Sequence, residues 1–319
     1  MNTMERDLQL TRKTNTNANV EHPRKAMLSH KWIETLLGYV FLFPSLLLFA
    51  IFLFYPLFQT LYLSLHETDP RGRVASYVGF DNFVAIFTSE RFYQSLGVTG
   101  LFTLLTVPTV IAVALMLAAF THNQLKGMRI FQFIFSLPVV LSVGTSAVIW
   151  MMLFHPSVGM LNYILHVVGS EPVAWLTDPR WALLSVSMMT VWMNLGFTYI
   201  VLLSGLQGIP DEIYDSAKID GSGPVRTFVQ IVLPLLSPTV FFVTIVSIIG
   251  AFQSFGQIHI LTKGGPVNST DVLVYSLYQD AFINFRFGTG SAQALVLFTI
   301  ILIFTVIQFK VFERKVHYQ

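Results

Sequence analysis

Cysteine is missing from all 319 residues, so no disulfide framework or Cys-based metal site exists, and the redox compartment leaves no trace. No glycine is followed by lysine, which removes the Gly-x4-Gly-Lys phosphate cradle. The chain cannot hydrolyse ATP by that route and reads as a non-enzyme. Nor does any cluster of acids, histidines or a nucleophile show the spacing of a membrane enzyme. Charged residues make up only 11% of the chain and the net charge is +2, with no basic patch for nucleic acid. Charge is also absent locally. Windows 36–58, 95–120, 130–154, 181–204, 233–255 and 291–309 contain none of the 19 Lys and Arg or the 17 Asp and Glu. One charge at a helix centre costs about 2.5–3.5 kcal/mol of insertion free energy, and about 20 apolar residues cross the hydrocarbon layer. With 54% hydrophobic residues and a mean hydropathy of +0.64, the chain reads as an all-α membrane protein with six transmembrane helices at those windows.

Lys and Arg set orientation. The N-terminal tail, the 121–129 and 205–232 loops and the C-terminal tail carry 13, against 6 in the alternate loops. Both termini are therefore expected in the cytoplasm, together with the 205–232 loop. Residues 1–35, polar and rich in Asn and Thr, read as a disordered cytoplasmic tail ahead of one six-helix transmembrane domain, 36–319. The Leu36–Phe58 run is too long for a signal-peptide core and is expected to stay as the first span.

The external segments are too short for an independent core. Asp69-Pro-Arg-Gly72 predicts a turn, as does Lys263-Gly-Gly-Pro266. From Asp271 onward, apolar residues at 274, 277, 278, 281, 282 and 285 predict an amphipathic helix, lying along the outer membrane surface or packed on its own bundle. Prolines 44, 108, 138 and 238 fall inside spans, where they serve as gating hinges or as static bends.

Between the fourth and fifth spans the chain turns polar. Pro210 suits a first helical turn, Asp211 and Glu212 sit at the positive end of the dipole, and Gly221-Ser-Gly-Pro224 ends the helix. Ile213 and Ala217 share a face. Phe228, Ile231 and Val232 then give a second apolar face leading into Leu233-Pro234. This is a short helix, a glycine break and a second helix: a rigid handle, or a helix lying on lipid headgroups. Four acids against two bases in the loop do not favour anionic lipid.

The loop resembles that of permease subunits of bacterial carbohydrate-type ABC importers, which carry Glu-Ala-Ala, then Asp-Gly, then Ile-x-Leu-Pro. The matching residues are Asp215-Ser216-Ala217, Asp220-Gly221 and Ile231-Val232-Leu233-Pro234. Asp215 replaces the usual Glu, keeping the charge with one methylene less reach, and Ser216 replaces the first Ala. Residues 252–270 and Tyr77–Phe83 are also similar to these permeases. Asp69-Pro70, Leu153-Phe-His-Pro156 and Arg314–Gln319 resemble the sn-glycerol-3-phosphate branch. The resemblance implies a type I ABC importer permease fold with a cytoplasmic coupling helix at 210–221, in a bacterial inner membrane. It also implies a second permease subunit forming a heterodimer, two ATPase subunits that use ATP and Mg, and an external substrate-binding protein. No cofactor is expected in this chain itself.

Substrate-path candidates are Asn194, Gln253, Ser254 and Gln257, whose uncharged side chains donate and accept hydrogen bonds as sugar hydroxyls require. In similar maltose-type permeases the region matching 251–254 lines the cavity. Each can equally tie two helices together, and Asn194 reads better that way. No cation lies within a span to meet a phosphate, which favours a neutral sugar over sn-glycerol 3-phosphate as substrate. An ion-coupled secondary transporter is the alternative class. It normally needs an intramembrane ionisable residue and often repeated halves, and neither is found in the sequence.

Overall fold

A computed structural model describes residues 24–122 and 127–312. Its two compact units divide between Gln59 and Thr60. In the first, α1 (Arg24–Phe49) passes into a π-helical turn at Ala50–Phe54. Residues 24–35, read from composition as part of a disordered tail, are the opening turns of α1. No Gly or Pro interrupts residues 24–37, and Ala, Met, Leu, Lys and Glu favour helix there. The rest of that tail, 1–23, lies outside the described residues. After the π turn comes α2 (Tyr55–Ser64), and Glu34–Ser64 together form one long apolar stretch.

In the second unit, the 59–94 segment forms a hairpin, β1 (His66–Thr68) against β2 (Val74–Tyr77), antiparallel with His66 opposite Tyr77. The predicted turn is present: an Asp69 carboxylate oxygen accepts from the Arg71 N–H at 3.0 Å and the Arg73 N–H at 2.7 Å. A short α3 (Asp81–Thr88) leads into α4 (Glu90–Thr121).

The third apolar window is not one helix. It comprises α5 (Met128–Ser136), a 3-10 turn (Leu137–Val140) and α6 (Val143–Leu153), with a bend of 106° between its halves. Pro138 ends the first half, Leu141 and Ser142 are extended, and Ser142 Oγ caps the second half by accepting from the Thr145 N–H at 3.2 Å. A helix break within a membrane needs protein around it. Here Gly196 and Gly256 supply the close packing: a Cβ on Gly196 would meet Val139 N at 2.8 Å, and one on Gly256 would meet Val143 Cγ1 at 2.8 Å.

Next come α7 (Met160–Val167), α8 (Pro179–Gln207), α9 (Asp211–Ile219) and α10 (Pro224–Thr227). A π turn at Phe228–Val232, α11 (Leu233–Leu235) and α12 (Ser237–Phe252) follow. Pro238 therefore opens α12 rather than kinking a span, whereas Pro44 and Pro108 do lie inside helices. Two of the π turns share a cause. The Tyr55 N–H reaches back to Ala50 O just before Pro56, and the Leu233 N–H reaches Phe228 O just before Pro234. Proline has no N–H and crowds the carbonyl four residues back, and a wider ring relieves that conflict.

The chain closes with α13 (Gly256–Leu261), α14 (Leu273–Tyr278), a π turn (Gln279–Ile283) and α15 (Phe287–Phe312). Of the two placements open for the 271–285 helix, the structure adopts packing on the bundle: Leu273, Tyr275 and Ser276 are buried. Counting the bent pair as one crossing, the described residues hold six apolar spans.

Helices α4 and α8 pack along each other as the central pair. One cluster holds Phe102, Val186, Met189 and Ile258, and a second holds Ala114, Ala118, Tyr199, Leu202 and Leu236. Ala114 and Ala118, four residues apart and fully buried, let the two backbones approach. That matters because lipid tails are as apolar as leucine, so close van der Waals contact, not exclusion from water, holds such helices together. A third cluster joins Ile86 and Phe92 to Phe252, Leu273 and Leu297.

Candidate functional site

The polar loop folds as expected, with a definite local cause. Helix α9 starts after Pro210, its first turn carries Asp211 and Glu212, and Lys218 lies in its last. Its end is a Schellman motif. The Gly221 N–H donates to Lys218 O at 3.0 Å and the Ser222 N–H to Ala217 O at 2.9 Å. Gly221 has φ +68, and nothing lies within 4 Å of where its Cβ would be. Backbone conformation, not crowding within this chain, is what demands glycine there. Gly221→Val is expected to cost about 1–2 kcal/mol at that residue and to unwind the end of α9. Transport assays on membranes with normal amounts of the variant should show impaired uptake.

The motif residues divide by exposure. Asp215, Ser216 and Asp220 point outward, and Asp215 pairs with Lys218 at 2.9 Å. Both partners of that pair are mostly exposed, so it adds little stability and leaves the carboxylate available. Ala217 is 3% exposed and packs inside the chain. Ile231, in the widened turn, and Leu233, in α11, are half-buried, and Pro234 of α11 is exposed. Sequence reasoning overlooked three side chains. Ile219 and Val225 are exposed apolar residues flanking the glycine break, at 86% and 76%. Tyr214 lies one helical turn from Ala217 on the inward face, and burial raises its pKa, with a smaller contribution from Asp211. The spacing of Ile213, Tyr214 and Ala217 is the signal that could have revealed that face.

The four path candidates also separate. Ser254 Oγ donates to Gly250 O at 2.9 Å, and Gln257 Nε2 reaches Thr190 Oγ1 of α8 at 3.4 Å; both side chains are buried. Gln257 thus ties α13 to α8. Gln253 and Asn194 are exposed instead, and their side chains make no hydrogen bond among the described residues. The interhelical tie that the sequence favours for Asn194 is therefore not formed among the described residues. Exposed amides at membrane depth need water or another polar group, because hydrocarbon supplies no hydrogen bond.

A polar pocket of about 370 Å³ lies among Glu67, Asp81, Asn82, Arg286 and Thr289. Its walls are braced: Asn82 Nδ2 donates to Ser64 O at 2.9 Å and His66 O at 3.1 Å. Among the described residues no group of three or more His, Asp or Glu stands close enough to hold a metal ion.

The model of the family described as binding-protein-dependent transport system inner membrane component matches residues 83–318, which include α9, the glycine break and five of the six spans. The chain belongs to that family. This permease is 35% identical over 286 residues to the sn-glycerol-3-phosphate transport system permease protein UgpA of Agrobacterium fabrum, covering 89% of this chain and 97% of that one. The protein of the same description from Yersinia pestis is 34% identical over 300 residues, covering 93% and 99%. Among solved structures, a chain of a bacterial alginate ABC transporter, crystallised with an alginate pentasaccharide-bound periplasmic protein, shares the permease's fold. It aligns with a TM-score of 0.76 over 92% of this chain and 98% of that one, at 24% identity.

Proposed function

We propose that this permease forms one half of the translocation path of an ATP-driven importer for a small carbohydrate. One observation carries the reading. A glycine-terminated helix presents Asp215 and Ile219 outward while its inner face, through Ala217, is anchored in the bundle. That is the form a lever needs to be gripped by another protein. Six crossings leave both ends on one side, and the Lys and Arg excess makes that side the cytoplasm. Two ATPase subunits, supplied with ATP and Mg, act on α9 from there. A second permease subunit covers the exposed amides of Gln253 and Asn194 and completes the path. An external substrate-binding protein delivers the substrate at the opposite end, where the pocket at Glu67, Asp81 and Arg286 is available to it.

Exposed, uncharged amides suit hydroxyl-rich ligands, and this supports a sugar. A second reading, sn-glycerol 3-phosphate, is favoured by the relatives' substrate, with the phosphate met by groups of the other permease. Because the chain lacks cysteine, Asp215→Cys introduces its sole thiol. Thiol crosslinking in intact cells is expected to capture a nucleotide-hydrolysing subunit, and capture of lipid alone would end the lever reading. Uptake of labelled sn-glycerol 3-phosphate against labelled neutral sugars, with the cognate binding protein present, separates the two substrates.

A further inference from the structure

Helix α9 stacks on His122 at the end of α4, and the residue before it, Thr121, is bonded to α8 and α5. His122 caps α4, its N–H donating to Ala118 O at 2.9 Å and its Nδ1 to Ala119 O at 2.7 Å. The second bond fixes the imidazole against the last turn. Its face lies on the Tyr214 ring of α9, with centroids 5.7 Å apart and planes 26° from parallel. One residue earlier, Thr121 Oγ1 is 2.7 Å from the hydroxyl of Tyr199 on α8, both residues being buried. The Thr121 carbonyl accepts from Gln132 Nε2 of α5 at 2.7 Å. The Tyr199 ring also meets Phe135 of α5 edge-on, with centroids 5.8 Å apart.

An isolated helix of nine residues is too short to be stable in water, so α9 depends on tertiary contacts for its place. We propose that Thr121 and His122 form the joint through which α9 moves the bundle. His122 takes the displacement from Tyr214 by ring contact, and Thr121 passes it to Tyr199 and Gln132 by hydrogen bonds. The inference rests on the lever reading above and names its load-transmitting residues. Both recipients lead to functional parts of the fold. Tyr199 shares α8 with Asn194, five residues away, and Gln132 shares α5 with the approach to the Pro138 break. Buried hydroxyl pairs suit this task because they are directional and costly to leave unmade. The aromatic stack, by contrast, allows sliding within its plane while resisting compression.

The test uses the whole importer reconstituted in liposomes, with ATP hydrolysis and uptake measured on the same vesicles. Tyr214→Ala and His122→Ala are expected to keep binding-protein-stimulated hydrolysis while uptake falls about fivefold, as expected for loss of one aromatic pair. ATP consumed per molecule imported rises accordingly. Tyr214→Phe keeps the ring and should couple as the unmodified protein does. Thr121→Val and Tyr199→Phe each remove one hydroxyl at nearly constant volume. They should show the same split in smaller measure, so the answer does not depend on the alanine variants assembling. Hydrolysis and uptake falling in step across all four variants would make the joint a packing feature and overturn the proposal, as would unchanged uptake in all four. If the unmodified importer showed no ATP-driven uptake, the lever reading itself would fail, before any variant was made.

Discussion

Arg91→Ala is expected to destabilise the permease by about 3 kcal/mol, the low end for breaking a buried ion pair because Arg91 is itself 33% exposed. Arg91 Nε donates to an Asp271 carboxylate oxygen at 3.0 Å, its guanidinium also bonds Gln279, and Asp280 lies 3.9 Å away. Asp271 has a side chain only 2% exposed and further accepts from Ser95 at 3.3 Å. Burial nevertheless outweighs Arg91, and the Asp271 carboxyl titrates above its ordinary value of 3.8. A carboxyl whose pKa is raised on folding holds its proton more tightly in the folded chain. Its contribution is fully present below that ordinary value and is lost as pH rises through the raised one. Removing Arg91 removes the attraction that opposes burial, so the raised value climbs further. Thermal unfolding of Arg91→Ala should therefore improve relative to the unmodified permease as pH is lowered from neutrality. Asp271→Asn removes the buried charge and should cost about 1 kcal/mol or less. An Arg91→Ala protein whose melting temperature stayed parallel to the unmodified one across pH would refute this account.

Gly196→Leu should prevent stable folding, and even Gly196→Ala should lower stability by about 1–3 kcal/mol. The atoms that a Cβ would strike, Val139 N at 2.8 Å and Ser136 O at 2.9 Å, are backbone and cannot swing aside. They belong to the turn that breaks the third span, so moving them disturbs the bend itself. Gly97→Ala and Gly250→Ala are controls, since nothing lies within 4 Å of either added Cβ. Both should be neutral or slightly stabilising, because alanine favours helix by about 1 kcal/mol over glycine. Purified-protein melting curves for the four variants test the contrast. Equal losses at Gly196 and Gly97 would mean that helix propensity, not close approach, governs these positions.

The parts of this fold that the sequence discloses are those with a local cause. Charge exclusion locates the spans because its penalty acts residue by residue. Asp220-Gly221 locates the end of α9 because the Schellman bonds close within six residues. The sharp bend after Pro138 stays hidden, since a single proline inside an apolar run reads as a kink. Only Gly196 and Gly256, distant in the chain, make room for a 106° turn. The partner of Arg91 lies 180 positions away, and no periodicity announces it. Path candidates fare in between. Residue type selects Gln253, Ser254, Gln257 and Asn194 together, but helix phase decides that two are tied internally and two face outward.

Helix phase gives the widened ring at Phe228–Val232 a further importance. One residue of an α-helix corresponds to about 100° of rotation. The wide turn thus offsets the azimuth of everything after it relative to α9, independently of the position of α9 itself. Deleting a single residue there would leave the downstream face nearly in place, whereas closing the ring to a regular turn with all its residues kept would swing that face by about a quarter-turn. Gln253 would then point away from its present direction, with every amino acid of α12 unchanged. Which residues of α12 face outward is thus set partly by a turn that precedes the helix.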